Sequence, residues 1–385
     1  MITRTTPKNR LALIGASILI TSATCFAASP AQDAAVLTHS GMCDASAAVM
    51  LDGETFIAAD DEQNLLAIYD AKSSGGPVAS IEWERLFTSG QVTNSQDDDK
   101  PGEADIEGAA RIGNRIYWIA SHGRNKKGKW KSDRHQFFSV EVSRIHGEYN
   151  FTPVGRYHDL ALDMVAAPEL RELALDASVM AESKKEKELA PKKEGLNIEG
   201  LAAAPDGRSL LIALRNPRPD DGAVVVPLLN PAEVVENGGA PRFGEPIVLD
   251  LTMKVGGKTL NLSVRSIEYC RQQATYLIVG GPQDDLKSFA LFSWSGNPDD
   301  SPLLLEDVTR AIHDIPGFAP EAIVDYPSKG KIQLLSDDGS LPVRVDSADE
   351  CAKGACKDGM CEGKHLLDAS QRTFRSTTAT INGAQ

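Results

Sequence analysis

Asp105-Ile-Glu107-Gly-Ala-Ala-Arg-Ile-Gly-Asn-Arg-Ile116-Tyr-Trp-Ile-Ala-Ser121-His122 is the stretch that decides the fold. A short strand follows the glutamate. A Gly-Asn pair makes a turn, and a strongly apolar second strand ends in small and polar residues. This is the pattern of a β-hairpin. Working outward, the same shape recurs. Asn197-Ile-Glu199-Gly-Leu-Ala-Ala-Ala runs through Pro205-Asp-Gly to Leu210-Leu-Ile-Ala-Leu-Arg215. Ser266-Ile-Glu268-Tyr-Cys runs through a polar turn to Tyr276-Leu-Ile-Val-Gly-Gly281, and Pro320-Glu321-Ala-Ile-Val through Ser-Lys-Gly to Ile332-Gln-Leu-Leu-Ser336-Asp337. An earlier copy, Ala47 to Leu51 and then Thr55 to Ala59, lacks the glutamate.

Third strands read at Leu65 to Tyr69, Gln136 to Val142, Ala223 to Leu228 and Phe289 to Trp294. Outer strands read at Val78 to Trp83, Thr152 to Tyr157, Pro246 to Leu251 and Pro302 to Leu305. Five units of about four strands predict a single all-β domain, a β-propeller of five blades, because a small sheet cannot bury both faces alone. Six or seven blades stay open if the interval from Glu107 to Glu199 holds another sheet. A two-sheet sandwich is the alternative, for which 385 residues is long. Residues 160–194 break the pattern. Leu170, Leu173, Leu175 and Val179 have helix-like spacing, and a charge run from Glu182 to Glu188 follows, so a helical insertion is expected after the second unit.

The beginning of the chain reads as a signal peptide, residues 1–27, with the propeller domain over residues 28–385. Arg4, Lys8 and Arg10 precede an apolar run from Leu11 to Ile20, and Cys25-Phe-Ala27 offers a cut after Ala27. The run is too short to span a bilayer. A periplasmic or secreted protein that does not span the membrane is expected. The net charge is −14, and losing those three basic residues makes it −17. Nucleic acid and anionic membranes need a basic face, so neither is an expected partner. A small molecule or a protein is. Export suits the cysteines: Cys43, Cys351, Cys356 and Cys361 are candidates for two disulfides, with Cys270 buried and free. Zinc held by the three clustered cysteines and His365 is the alternative.

Glu107, Glu199, Glu268 and Glu321 share a place before an inner strand. Rotation about a propeller axis would gather them at one end of a channel. Clustered carboxylates need compensation, which Ca²⁺ or another divalent cation supplies as an oxygen-ligated ion. The structural alternative is that each glutamate accepts backbone N–H bonds or an arginine from the next blade. The second strands end in Asp60-Asp61, Ser121-His122-Gly-Arg124, Arg215-Asn216 and Asp337-Asp338, and Arg265 lies just before Glu268; Arg124, Arg215, Arg265 and Asp337 could bind an anionic substrate. His122 is the candidate general acid or base, as the side chain that titrates near neutrality. The basic stretch from Arg124 to Lys131 reads as a hairpin loop or as a rim that attracts an anion.

The segments Asp105-Ile-Glu-Gly, Tyr117-Trp-Ile-Ala-Ser-His-Gly-Arg124, Leu196-Asn-Ile-Glu-Gly-Leu-Ala, Arg215-Asn-Pro217, Val264-Arg-Ser-Ile-Glu268 and Leu335-Ser-Asp-Asp-Gly339 resemble the bacterial domain-of-unknown-function family 3616, over about Asp44 to Arg375. The Glu-Gly-Leu-Ala signature also resembles, more loosely, phytase-like propellers, for which the resemblance implies esterase activity. Two functions follow as expectations: a cation-dependent hydrolase of phosphate or other esters, or a non-enzymatic scaffold that binds a ligand or protein. The sequence has no Gly-x-Ser-x-Gly elbow, no His-Glu-x-x-His and no dinucleotide fingerprint. Gly256-Gly-Lys-Thr259 imitates a P-loop, but Thr252 stands where the first glycine belongs.

Overall fold

A computed structural model describes residues 35–87, 102–180, 186–282, 288–327 and 330–381. The expected signal peptide and part of the charge run lie outside them. The described chain forms five four-stranded antiparallel sheets. Sheet I is Ala45–Met50, Thr55–Asp60, Leu65–Asp70 and Ala79–Glu82. Sheet II is Ile106–Ile112, Arg115–Ala120, Phe137–Ile145 and Glu148–Tyr157. Sheet III is Asn197–Ala203, Leu210–Asn216, Ala223–Leu228 and Ile247–Leu249. Sheet IV is Ser263–Cys270, Thr275–Gly281, Ala290–Trp294 and Leu303–Leu304. Sheet V starts with Pro320–Asp325 and Lys331–Ser336, continues with Thr373–Thr380, and ends on Leu37–Ser40 from the other end of the described chain, with Leu37 opposite Ser376. The five hairpins and most of the third and outer strands therefore stand where the sequence puts them.

The strands are apolar on both faces because each sheet packs between two others. In the second strand of sheet III, Leu210, Ile212 and Leu214 face sheet II beside Tyr117 and Phe137, while Leu211 and Ala213 face sheet IV beside Ile278 and Phe292. This is the period-two alternation of a strand put to use twice. Similar cores lie between sheets I and II around Trp83 and Trp118, between IV and V around Leu277 and Leu334, and between V and I around Phe56 and Phe374. The packing order is thus cyclic, and the first strand of each sheet touches the first strand of the next. Small residues allow that approach. A Cβ on Gly108 would lie 2.8 Å from the Leu201 backbone nitrogen and 2.9 Å from the Gly200 carbonyl carbon.

The insertion is helical, with Leu160–Ala166, Pro168–Leu173 and Leu175–Val179 covering sheets II and III. Leu170, Leu173, Leu175 and Val179 are all buried there. The two expected disulfides are not formed: all five described cysteines are free thiols. The Cys43 thiol lies 3.7 Å from Asp44 Oδ2. Cys270 is buried and free, as read. Among the described residues no helix is long and apolar enough to cross a membrane.

Candidate functional site

Every inner strand begins with the same irregularity. The register slips between Ala45 and Ala47, Ile106 and Gly108, Ile198 and Gly200, Val264 and Ser266, and Pro320 and Ala322. A bulge re-aims the residue it squeezes out of the ladder. Those residues are Ser46, Glu107, Glu199, Arg265 and Glu321. The fourth place therefore belongs to Arg265, three residues before the glutamate that the sequence comparison chose. Glu268 opens instead onto a gap of about 10 Å³ between the inner strands, which Glu107 also borders. Glu268 therefore lies off the cavity wall and outside the carboxylate ring expected there.

Four of the five bulge residues, Glu107, Glu199, Arg265 and Glu321, line one cavity of about 950 Å³. Its acidic wall adds Asp44, Asp61, Glu62, Glu103, Asp105 and Asp337. Cations come from Arg134, Arg215 and Lys364, and from two loops that supply Lys126, Lys127, Lys192 and Lys193. Within it the acids divide into two groups.

The first group is neutralised by arginine. Arg215 Nη1 lies 2.8 Å from Glu199 Oε1, and Asn197 Nδ2 donates to the same oxygen at 2.7 Å. Arg265 Nη1 lies 3.2 Å from Glu199 Oε2 and 3.3 Å from Glu321 Oε1, and its Nη2 donates to the Pro282 carbonyl. Burial pushes Glu199 upward, but Arg215 and then Arg265 outweigh it and hold the carboxyl below its ordinary range. Glu321 is pushed up to about 8 by burial and by Asp337, against the pull of Arg265. Glu199 and Glu321 are thus paired with arginine, the arrangement that the structural alternative expects.

The second group is not neutralised in this way. Asp61, just past the second strand of sheet I, meets Asp105 and Glu107 at the start of sheet II. One ligand oxygen from each lies within 4.8 Å of the other two. Two oxygens at about 2.3–2.6 Å from one Ca²⁺ can be at most about 5 Å apart, so the spacing fits a shared ion. Asp61 Oδ1 is buried and accepts no hydrogen bond. Burial, then Asp44 and Glu107, raise the Asp61 carboxyl well above its usual range. Burial, then Glu199 and Asp105, do the same to Glu107. Only Asp105 has a cation of its own, Arg134 Nη1 at 2.7 Å; the other Arg134 nitrogen bonds Glu103. A second buried oxygen without a partner, Asn197 Oδ1, is on the same cavity wall. Beside the trio, Asp44 and Asp337 hydrogen-bond carboxyl to carboxyl, and burial with that bond raises Asp44.

His122 is not on the cavity wall. It is 2% exposed, its Nδ1 is 2.9 Å from the Ala120 carbonyl, and its ring packs edge-on to His135. Burial lowers it to about 4. The expected acid-base role is not supported by this position. Arg124 also lies off the wall, donating to the Gly128 and Val179 carbonyls and sitting over Trp130. Arg215, Arg265 and Asp337 do reach the cavity, as expected.

Asp105, Glu103 and Arg134 carry no site role in the sequence reading, and Asp61 enters it only as a polar residue at a strand end. The signal for Asp61 and Asp105 was present: Asp44-Ala-Ser46 and Asp105-Ile-Glu107 are the same motif, and Asp61 follows the strand next to it.

No family model matches the chain, and no curated protein matches it. Among solved structures, the chain is similar to glutaminyl cyclase from Myxococcus xanthus at 13% identity, covering 79% of this chain and 90% of that one, with a TM-score of 0.39. It is also similar to the pyrroloquinoline-quinone-bound aldose sugar dehydrogenase of Streptomyces coelicolor at 11% identity, covering 91% and 100%, with a TM-score of 0.36. Likenesses this loose carry no chemistry to the present chain.

Proposed function

We propose that the protein is an exported five-bladed β-propeller whose axial cavity holds a divalent cation on Asp61, Asp105 and Glu107 and hydrolyses an anionic ester there. The cyclic packing of five sheets supports the propeller. One observation carries the site: three carboxylates within reach of one ion, with a buried Asp61 oxygen that nothing else satisfies. Buried acids left in that state are costly, and a hard cation with oxygen ligands removes the cost. Such a cation polarises a phosphoryl or carbonyl oxygen.

The chain's own residues supply the rest. Arg265 and Arg215 keep Glu199 and Glu321 from adding negative charge to the centre. The lysines at the cavity wall favour an anionic ligand. Glu103, pushed up to about 7 by burial against the pull of Arg134, is the wall carboxyl best matched to moving a proton near neutral pH. Binding without turnover is the second reading. It is favoured by the absence, among the described lining residues, of any histidine or cysteine.

A panel of phosphate esters, carboxyl esters and lactones, run with Ca²⁺ and with chelator, tests both. Turnover that needs the cation and is lost in Asp61→Asn supports the hydrolase. Calcium binding without turnover on any of these esters leaves the binding reading. No calcium binding at all removes the centre.

A further inference from the structure

The chain leaves sheet V after Ser336 and returns at Thr373. The excursion between them holds one small hairpin, Pro342–Arg344 with Met360–Glu362. Its own core is Val345, Cys351, Cys361 and Leu366, with Val343, Ala355 and Cys356 packed against it. So little apolar surface is a weak basis for a fixed shape, and small modules of this kind usually carry a covalent staple. Cys351 and Cys361 share this four-residue core, and Cys356 packs against it. Cys351 and Cys361 are buried, whereas Cys356 is half-exposed.

We propose that the free thiols of Cys351 and Cys361 close to a disulfide on oxidation, clasping this excursion, and that Cys356 is the exchange thiol that opens it. A zinc ion fits less well. Tetrahedral zinc needs its sulfurs about 3.8 Å apart, given Zn–S bonds of ~2.3 Å. Among the described residues only the Asp61, Asp105 and Glu107 group has three ligand atoms within 4.8 Å of one another. The three thiols therefore do not all close on one point.

The chemistry balances with a disulfide oxidant such as oxidised glutathione. The two thiols give up two protons and two electrons, the S–S bond forms, and two glutathione thiols are released. Opening runs by attack of the Cys356 thiolate on the Cys351 sulfur, which displaces Cys361 as the leaving thiolate. The clasp bears on the cavity without depending on the cation reading. Gly363 N donates to the Leu341 carbonyl and Lys364 N to the Gly339 carbonyl. Those bonds set Lys364, whose Nζ reaches Glu62 Oε1 at 2.9 Å on the cavity wall.

Trypsin separates the three cysteines by cutting after Arg344, Lys353, Lys357 and Lys364. The full-length protein is equilibrated with oxidised glutathione, alkylated, digested without reductant and mapped by mass. The expected result is peptide 345–353 linked to 358–364, with 354–357 alkylated. Cys356→Ser should keep that link and slow its reduction by glutathione at least tenfold. Alkylation of Cys351 and Cys361 in the oxidised sample overturns the proposal. So does a link to Cys43, a sole link between 345–353 and 354–357, or stoichiometric zinc that shields all three thiols until it is chelated.

Discussion

Arg265 Nη1 stands 3.2 Å from Glu199 Oε2, joining the bulge of sheet IV to the bulge of sheet III. It reaches Glu321 of sheet V with the same nitrogen. One cation thus serves carboxylates of both neighbouring sheets.

Arg265→Met should therefore be strongly destabilising. All three side chains are nearly buried, and removing one partner of such a group typically costs about 3–5 kcal/mol. Urea unfolding measures it. A loss below about 1 kcal/mol would mean that Arg215 alone suffices for Glu199 and that water reaches Glu321.

Asp61→Asn should have opposite effects with and without cation. It replaces a carboxyl that is costly to ionise where it is buried and whose Oδ1 accepts no hydrogen bond, so the chelated protein should melt higher than the parent. It also removes a ligand, so the rise in melting temperature on adding Ca²⁺ should shrink or vanish. Scanning fluorimetry on both proteins reads both signs. A calcium shift equal to the parent's would exclude Asp61 as a ligand.

The same acids set a pH dependence. Glu103 is pushed up to about 7 and Glu321 to about 8, in each case first by burial. A carboxyl whose folded pKa exceeds its unfolded value of about 4.3 binds its proton more tightly when folded. That stability is complete below the unfolded pKa and is lost as pH rises through 7 to 8. The chelated protein should accordingly melt lower at pH 8 than at pH 5. Ca²⁺, which competes with protons on its ligands Asp61 and Glu107, both raised by burial, should stabilise more at pH 8 and release protons on binding. A calcium shift equal at both values would contradict the exchange.

His122→Asn should leave ester turnover, where present, within about twofold, because the ring lies off the cavity wall. Asparagine tolerates the left-handed backbone at this position, where φ is 51°, so the substitution tests the side chain alone. Loss of the buried ring should lower stability. A large fall in kcat with an unchanged melting temperature would restore His122 to the chemistry.

The hairpins were legible because their apolar second strands, such as Leu210 to Leu214, and their Gly or Asp-Gly turns are local signals. Fusion of the sheets into a cycle is not local. It appears only when alternate residues of one strand are seen packing on different neighbours. The site was half legible. Glu107, Glu199, Glu321, Arg215, Arg265 and Asp337 were found because they recur or end strands. Glu268 was misplaced because Ser266-Ile-Glu268 mimics the motif three residues late. The bulge that puts Arg265 in that place is a register event, invisible without the partner strand. Asp61 was missed as a ligand because its partners lie in the next sheet.

Sheet V is assembled from both ends of the described chain. Leu37–Ser40 is made early and has no ladder to join until Thr373–Thr380 exists. In synthesis from the amino end, or threading of that end first through a pore, the circle cannot close until Thr373–Thr380 has emerged. Among the described residues the partner of the earliest strand is the latest one, so a chain cut before Thr373 lacks its seal, and emergence of that strand becomes a condition of finishing the fold.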